Sequence, residues 1–203
     1  MHSLKGLDWV VMGFACQGLS VANRGREGVR CSKSSVFFPG LRVLQVARRV
    51  SRETRATFEC TDFRRKFPRD YDTVSASLGV EAVVLEAGRI EAAWRTRLLW
   101  ADFDLLELEQ RERMPSQVLE EGRQPAGRWA SKLPTIMASG PSSWNMATCV
   151  VEETEEGKVF GPLRLSEAER CMGIAPGDTQ LSQEEEQLPA HVRWQGVGNA
   201  IHL

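Results

Sequence analysis

The chain has 203 residues, 42% of them hydrophobic and 26% charged, with a formal net charge of −1. Those values fit one globular domain, or one with a small second one, and exclude collagen-like and low-complexity chains. No apolar run approaches the roughly 20 residues that span a bilayer, so no membrane partner is expected.

The opening MHSLKGLDWVVMGFACQG has a short apolar patch interrupted by Asp8, unlike a signal peptide. Leu7 to Phe14 reads as a buried strand, followed by a polar loop from Ala15 to Ser35. In SSVFFPGLRVLQVARRVSRE, Phe37, Leu41, Leu44, Ala47 and Val50 recur at three- and four-residue steps, which predicts an amphipathic helix. RATFE reads as a short strand ending at Glu59. PRDYDTVSASLG reads as a helix opened by Pro68 and stopped by Gly79. EAVVLEAG and RLLWADF read as two more strands. Strands alternating with helices predict an α/β sheet with crossover helices.

From Leu105 to Gly161 the order weakens into a small lobe broken by Pro115, Gly122, Pro125 and Gly127. Within it, VVEETEEGKVFG suggests a hairpin turning at Glu156-Gly157. Ser166 and Glu169 suggest a capping box for a short helix ended by Gly173. SQEEEQLP is acidic and suits the surface, and RWQGVGNAIHL reads as a glycine turn. No internal repeat is present.

The charge is unevenly spread: residues 1–70 carry +8 and residues 71–203 carry −9. A basic first third fits a phosphate backbone and equally fits a solvated arginine-rich helix. The five cysteines (16, 31, 60, 149 and 171) form no C-x-x-C pair, which argues against structural zinc or a disulfide scaffold and for reduced intracellular thiols. Cys16 differs from a core cysteine. It lies just past an apolar run, in a loop carrying Arg24, Arg26 and Arg30, and positive charge of that kind favours a thiolate.

Six stretches, in order, carry a resemblance. ACQGLSVANRGREGVRCSKSSVFF resembles the catalytic-loop block of the DNA cytosine-5 methyltransferase family, where Pro-Cys-Gln follows a strand. Forty-three residues after Cys16, TFECT stands where that family has Glu-Asn-Val, and 36 further on AAWRTRLLW resembles its Arg-x-Arg block. KLPTIMASG resembles the Pro-Thr-Ile stretch closing the target-recognition lobe. LRLSEAERCMGIAPGD resembles the block ending in Gly-Phe-Pro, and RWQGVGNAIHL is similar to the terminal Gly-Asn-Ala/Ser block.

The resemblance implies part of a Rossmann-like, S-adenosylmethionine-dependent methyltransferase sheet with a small irregular target-recognition lobe. Residues 1–104 would be the catalytic domain from nucleophile to Arg-x-Arg, 105–160 the lobe, and 161–203 the return to the catalytic domain. The implied reaction is methyl transfer from S-adenosylmethionine to carbon 5 of a flipped cytosine in DNA. A thiolate adding to carbon 6 makes carbon 5 nucleophilic, which is the implied role of Cys16. Glu59 would be the acid at ring nitrogen 3. Arg95 and Arg97, two apart on one strand face, would hold the base and its phosphate and steer Glu59. Gln17, Ser20, Asn23, Arg24 and Arg26 would meet the DNA, and Gly198, Asn199 and Ala200 would cover the cofactor. No metal is implied, and the compartment expected is intracellular, the nucleus in a eukaryote.

Some positions depart from the family. Ala15 replaces the proline before the nucleophile, Cys60 replaces the asparagine after Glu59, and Ile174-Ala175 precede Pro176. Only seven residues precede Asp8, and no Phe-x-Gly-x-Gly turn occurs. The chain therefore reads as a weakened fragment whose cofactor site is completed by an upstream segment or a second chain. An inactive fragment that binds DNA or a partner, and an RNA cytosine-5 methyltransferase, are the alternative readings.

Overall fold

A computed structural model describes residues 7–14, 18–19, 28–32, 34–105, 112–142, 146–179 and 188–199. The chain divides into two compact units, residues 1–85 with 96–108, and residues 86–95 with 109–203.

The first unit holds a four-stranded sheet in the order β1-β2-β4-β3. β1 (Trp9–Gly13) runs parallel to β2 (Arg55–Thr61), with Trp9 opposite Arg55 and Gly13 opposite Glu59. The parallel return is made through α1 (Phe37–Val50), a βαβ crossover. α1 approaches β1 closely at Gly40, where a Cβ would overlap the Met12 thioether. α2 (Pro68–Leu78) begins at its proline and ends at Gly79, whose φ of 74° suits glycine in a left-handed cap. β3 (Val83–Glu86) follows, and β4 (Thr96–Ala101) enters antiparallel beside β2, with Glu59 opposite Leu99 and Thr61 opposite Arg97.

Alternation along the strands decides the core. Ala56, Phe58 and Cys60 of β2 and Leu98 and Trp100 of β4 point to one face. There they pack with Phe14, with Phe37 and Leu44 of α1, and with Val74 and Leu78 of α2. Trp100 donates its indole N–H to the Ser75 hydroxyl at 2.9 Å, so the buried ring leaves no polar atom unpaired. The stripe expected on α1 is buried at Phe37, Leu44 and Ala47, half-buried at Leu41 and exposed at Val50.

The second unit has its own antiparallel sheet, β5 (Arg123–Pro125), β6 (Val150–Thr154) and β7 (Gly157–Gly161). Thr154 pairs with Gly157, so the hairpin turns at Glu155-Glu156, one residue earlier than the sequence suggested. α3 (Leu165–Cys171) and α4 (Ala190–Asn199) close the unit around Leu133, Ile136, Met146, Leu163, Ala168, Trp194 and Val197. Residues 86–95 join this unit because they pair with its interior: Leu133 N–H donates to Ala92 O at 2.8 Å and Trp94 N–H to Leu133 O at 2.9 Å.

Two local readings are corrected here. The cap of α3 sits two residues earlier than expected: Glu167, not Glu169, reaches back to accept from the Arg164 N–H at 2.7 Å. Glu169 is buried instead. It accepts from the Gly177 N–H at 2.8 Å, from the Thr179 hydroxyl, and from Arg193 of α4 at 2.8 Å. The terminal glycine turn is in fact helix α4, which runs through Gly196 and Gly198. No helix among the described residues is long and apolar enough to cross a membrane.

Candidate active site

Glu59 lies in β2 on the sheet face opposite the aromatic core, and Arg97 of β4 lies on the same face. The two are not directly opposite. Thr61 faces Arg97 across the ladder, so Glu59 is the diagonal neighbour, a separation within reach of a long side chain. Arg97 closes it with an Nε–H donated to Glu59 Oε1 at 2.9 Å. The carboxylate is 5% exposed and the guanidinium 12%. The strands and the ion pair therefore fix this carboxylate in one orientation. The end of β1 is hydrogen-bonded to the same residue: Phe14 N–H donates to Glu59 O at 3.1 Å. Glu59 stands inside β2, which continues to Thr61, and not at its end as the sequence suggested.

Cys16, Gln17, Ser20, Asn23, Arg24 and Arg26 lie outside the described residues. The segments flanking them are described and firmly held. Gly18 N–H donates to the Ser34 hydroxyl at 3.0 Å, and Gly28 N–H to Gly18 O at 3.3 Å. Val29 N–H donates to Asp70 Oδ2, at the start of α2, at 3.0 Å. Leu19 and Val29 are fully buried. A Cβ on Gly18 would overlap the Cys31 sulfur, so the loop can enter here only as glycine. The sequence reading missed Asp70 as the loop's anchor; its one signal was an acidic residue in a first helical turn.

Arg95 does not share a strand with Arg97. β4 begins at Thr96, and Arg95 belongs to the second unit. It is 4% exposed and donates through Nη1 to Gly198 O at 3.4 Å and to the Met172 sulfur at 3.8 Å. Its own carbonyl accepts from Ala87 N–H at 3.0 Å.

Of the residues expected to cover a cofactor, Ala200 lies outside the described residues and Asn199 is described in its backbone alone. Gly198 is occupied with packing: a Cβ there would overlap the backbone of Met137 and Ala138. A cleft of about 510 Å³ in the second unit is lined by Arg113, Gln117, Val118, Arg170 and residues 173–176, and includes none of the three.

The other four cysteines are buried. Burial pushes the thiols of Cys149 and Cys171 upward, further from the reactive thiolate.

No protein-family model matches the sequence, and no curated protein matches it. Solved structures do resemble it. The Dnmt2 methyltransferase of S. pombe is similar with a TM-score of 0.58 at 13% identity, over 96% of this chain and 74% of that chain. The methyltransferase EhMeth of Entamoeba histolytica is similar with a TM-score of 0.57 at 11% identity, over 96% of this chain and 73% of that one. At such identities the likeness concerns the fold, and function has to be argued from the site. The chain has a mixed α/β fold of the Rossmann-like kind found in these methyltransferases.

Proposed function

We propose that the chain is the nucleophile-bearing part of a cytosine-5 methyltransferase acting on DNA, with S-adenosylmethionine as the donor. The observation that carries this reading is the buried Glu59 carboxylate held by Arg97, with the end of β1 bonded to Glu59 and Cys16 two residues beyond Phe14. A two-residue step spans at most about 7 Å, and this short tether from Phe14 supports the reading. The fold shared with two methyltransferases supports the reading.

In this reading the Cys16 sulfur forms a bond to carbon 6 of a flipped cytosine. The pair of electrons displaced from the ring double bond is drawn toward ring nitrogen 3, which takes a proton from Glu59. Arg97 keeps Glu59 pointed at that nitrogen. S-adenosylmethionine would supply the methyl group that carbon 5 accepts. Solvent then takes the carbon 5 proton as the Cys16 sulfur leaves carbon 6, and nitrogen 3 returns its proton to Glu59, which restores the ring, the thiolate and the acid.

Duplex DNA carrying 5-fluorocytosine, incubated with the chain and S-adenosylmethionine, tests this. A covalent adduct abolished by Cys16→Ser and reduced on the order of 10²–10⁴-fold in rate by Glu59→Gln is expected. DNA binding without any adduct would instead favour a catalytically silent binding fragment. An adduct formed on RNA and not on DNA would move the substrate to RNA.

A further inference from the structure

β7 is an edge of the second unit's sheet, with a strand partner on one side only among the described residues. Its register decides where its backbone groups point. Thr154 stands opposite Gly157 across a two-residue turn, so Gly157, Val159 and Gly161 exchange hydrogen bonds with β6. The N–H and C=O groups of Lys158 and Phe160 alternate with these and point away from β6, toward the open side. The same alternation holds on β6, whose neighbour Cys149 turns its carbonyl to the β5 side and accepts from Ala126 N–H at 2.8 Å. Two apolar side chains flank the open edge. Val159 and Phe160 are 54% and 57% exposed, the highest values of any large apolar residue described. As successive strand residues they lie on opposite faces of the sheet. A lysine on an edge strand normally discourages pairing. Here Lys158 is turned back across the hairpin, with Nζ 3.3 Å from Glu153 Oε1. An edge of this kind is a template for a strand added from another chain.

Charge at the turn end chooses the occupant. Glu152 is held by Arg123 at 3.6 Å and by Arg164 at 3.3 Å, and Glu153 by Lys158. Glu155 and Glu156, in the turn itself, are exposed and have no ion pair among the described residues. Two uncompensated carboxylates beyond one end of the edge attract a basic segment and repel a second copy of the same hairpin. They repel nucleic-acid phosphates as well. We infer that β7 docks an extended segment of another protein as an added strand, apolar beside Val159 and Phe160 and basic where it passes Glu155 and Glu156. The main-chain groups of Lys158 and Phe160 supply the pairing, the two apolar side chains supply the burial, and the turn carboxylates set the charge of the partner. The surface lies wholly in the second unit and goes beyond the proposed chemistry, which it neither needs nor alters.

The test titrates the full chain into a fluorescein-labelled peptide with a valine-rich half and a lysine-rich half, read by anisotropy and by residue-resolved amide hydrogen exchange. Saturable binding is expected, with exchange slowed at Lys158 and Phe160. The amides of Val159 and Gly161, already bonded to β6, should change little. Glu155→Lys with Glu156→Lys should weaken binding by about tenfold. Phe160→Pro removes an outward N–H and spares the β6 ladder, so it should abolish binding while the circular dichroism stays that of the parent. Proline at alternate positions of the peptide's valine half should also abolish binding, and it tests the pairing without altering the chain. No binding, binding that survives the prolines in the peptide, or unchanged exchange at Lys158 and Phe160 would overturn the inference. Protection of those two amides in the chain alone at high dilution would overturn it in favour of a segment of this chain. A concentration-dependent dimer broken by Phe160→Pro would overturn it in favour of a second copy. Slowing of the same amides by duplex DNA and not by the peptide would overturn it in favour of nucleic acid.

Discussion

Truncating Glu167 to alanine should cost the second unit about 4 kcal/mol. The Glu167 side chain is wholly buried and serves three donors, from Glu120, Arg123 and Arg164. Arg123 Nη1 approaches Oε2 at 2.5 Å, Arg164 N–H reaches the same oxygen at 2.7 Å, and Glu120 N–H reaches Oε1 at 3.0 Å. Arg123 is itself 5% exposed, and without Glu167 it keeps only the Pro162 carbonyl at 2.6 Å and the half-exposed Glu152 carboxylate at 3.6 Å. Removing one member of a buried pair costs about 3–5 kcal/mol, because the other charge stays buried. The orphaned backbone N–H groups push toward the upper part of that range. In urea, with a slope of about 2 kcal/mol per molar, the midpoint should fall by roughly 2 M with the slope unchanged. Replacing both partners with apolar residues, Glu167→Leu with Arg123→Met, should recover most of the loss. A single-variant cost under about 1 kcal/mol, or a double variant no more stable than the single, would refute the argument.

Gly198→Ala should destabilise by about 1–3 kcal/mol and Gly40→Ala by less, because the new methyl meets the fixed backbone of Ala138 in one case and the movable end of Met12 in the other; thermal melts of the two variants compare them directly. Burial works against the charge on Glu169, but the Thr179 hydroxyl, the Gly177 N–H and Arg193 together hold its carboxyl below the ordinary 4.5. A depressed carboxyl contributes stability that is complete above the unfolded value and lost as pH falls through the folded one. Stability should therefore drop as pH falls below about 4.5, and Glu169→Gln should flatten that drop in melts taken across the acid range. Glu91 is the opposite case: burial raises its carboxyl against the pull of Arg113 and Lys132. Its ionised form costs stability at neutral pH, so Glu91→Gln should raise the neutral melting point slightly, and a fall would count against this account. Alkylation of Cys149 and Cys171 at pH 8 should follow global unfolding, as mass spectrometry of denaturant-titrated samples would show.

What could be read in advance followed from residues whose local preference agrees with their packing. The three- and four-residue spacing of Phe37, Leu44 and Ala47 marked α1, and Pro68 and Gly79 marked both ends of α2. Glu59 and Arg97, singled out through the family resemblance, are in contact across β2 and β4. The failures share a cause in long-range contacts. α4 contains two glycines and has the local look of a turn, yet Gly198 is needed where the helix meets residues 137–138. Glu169 has a capping residue's spacing from Ser166, but Arg193 and Thr179, far along the chain, claim it. Arg95 matched Arg97 by spacing alone, while the pairing of residues 86–95 with Leu133 sends it to the other unit.

The hydrogen bond from Gly28 to Gly18, ten residues apart, closes a loop at its base. Its ends are locked by Ser34 and Asp70, so the strands that hold Glu59 do not depend on what lies between. Doubling the length of such a closed segment costs only about 0.6 kcal/mol in chain entropy. A change in the length of this stretch therefore adds little to the cost of closing it. Variation in loop length is cheapest where the closing bonds lie outside the part that varies.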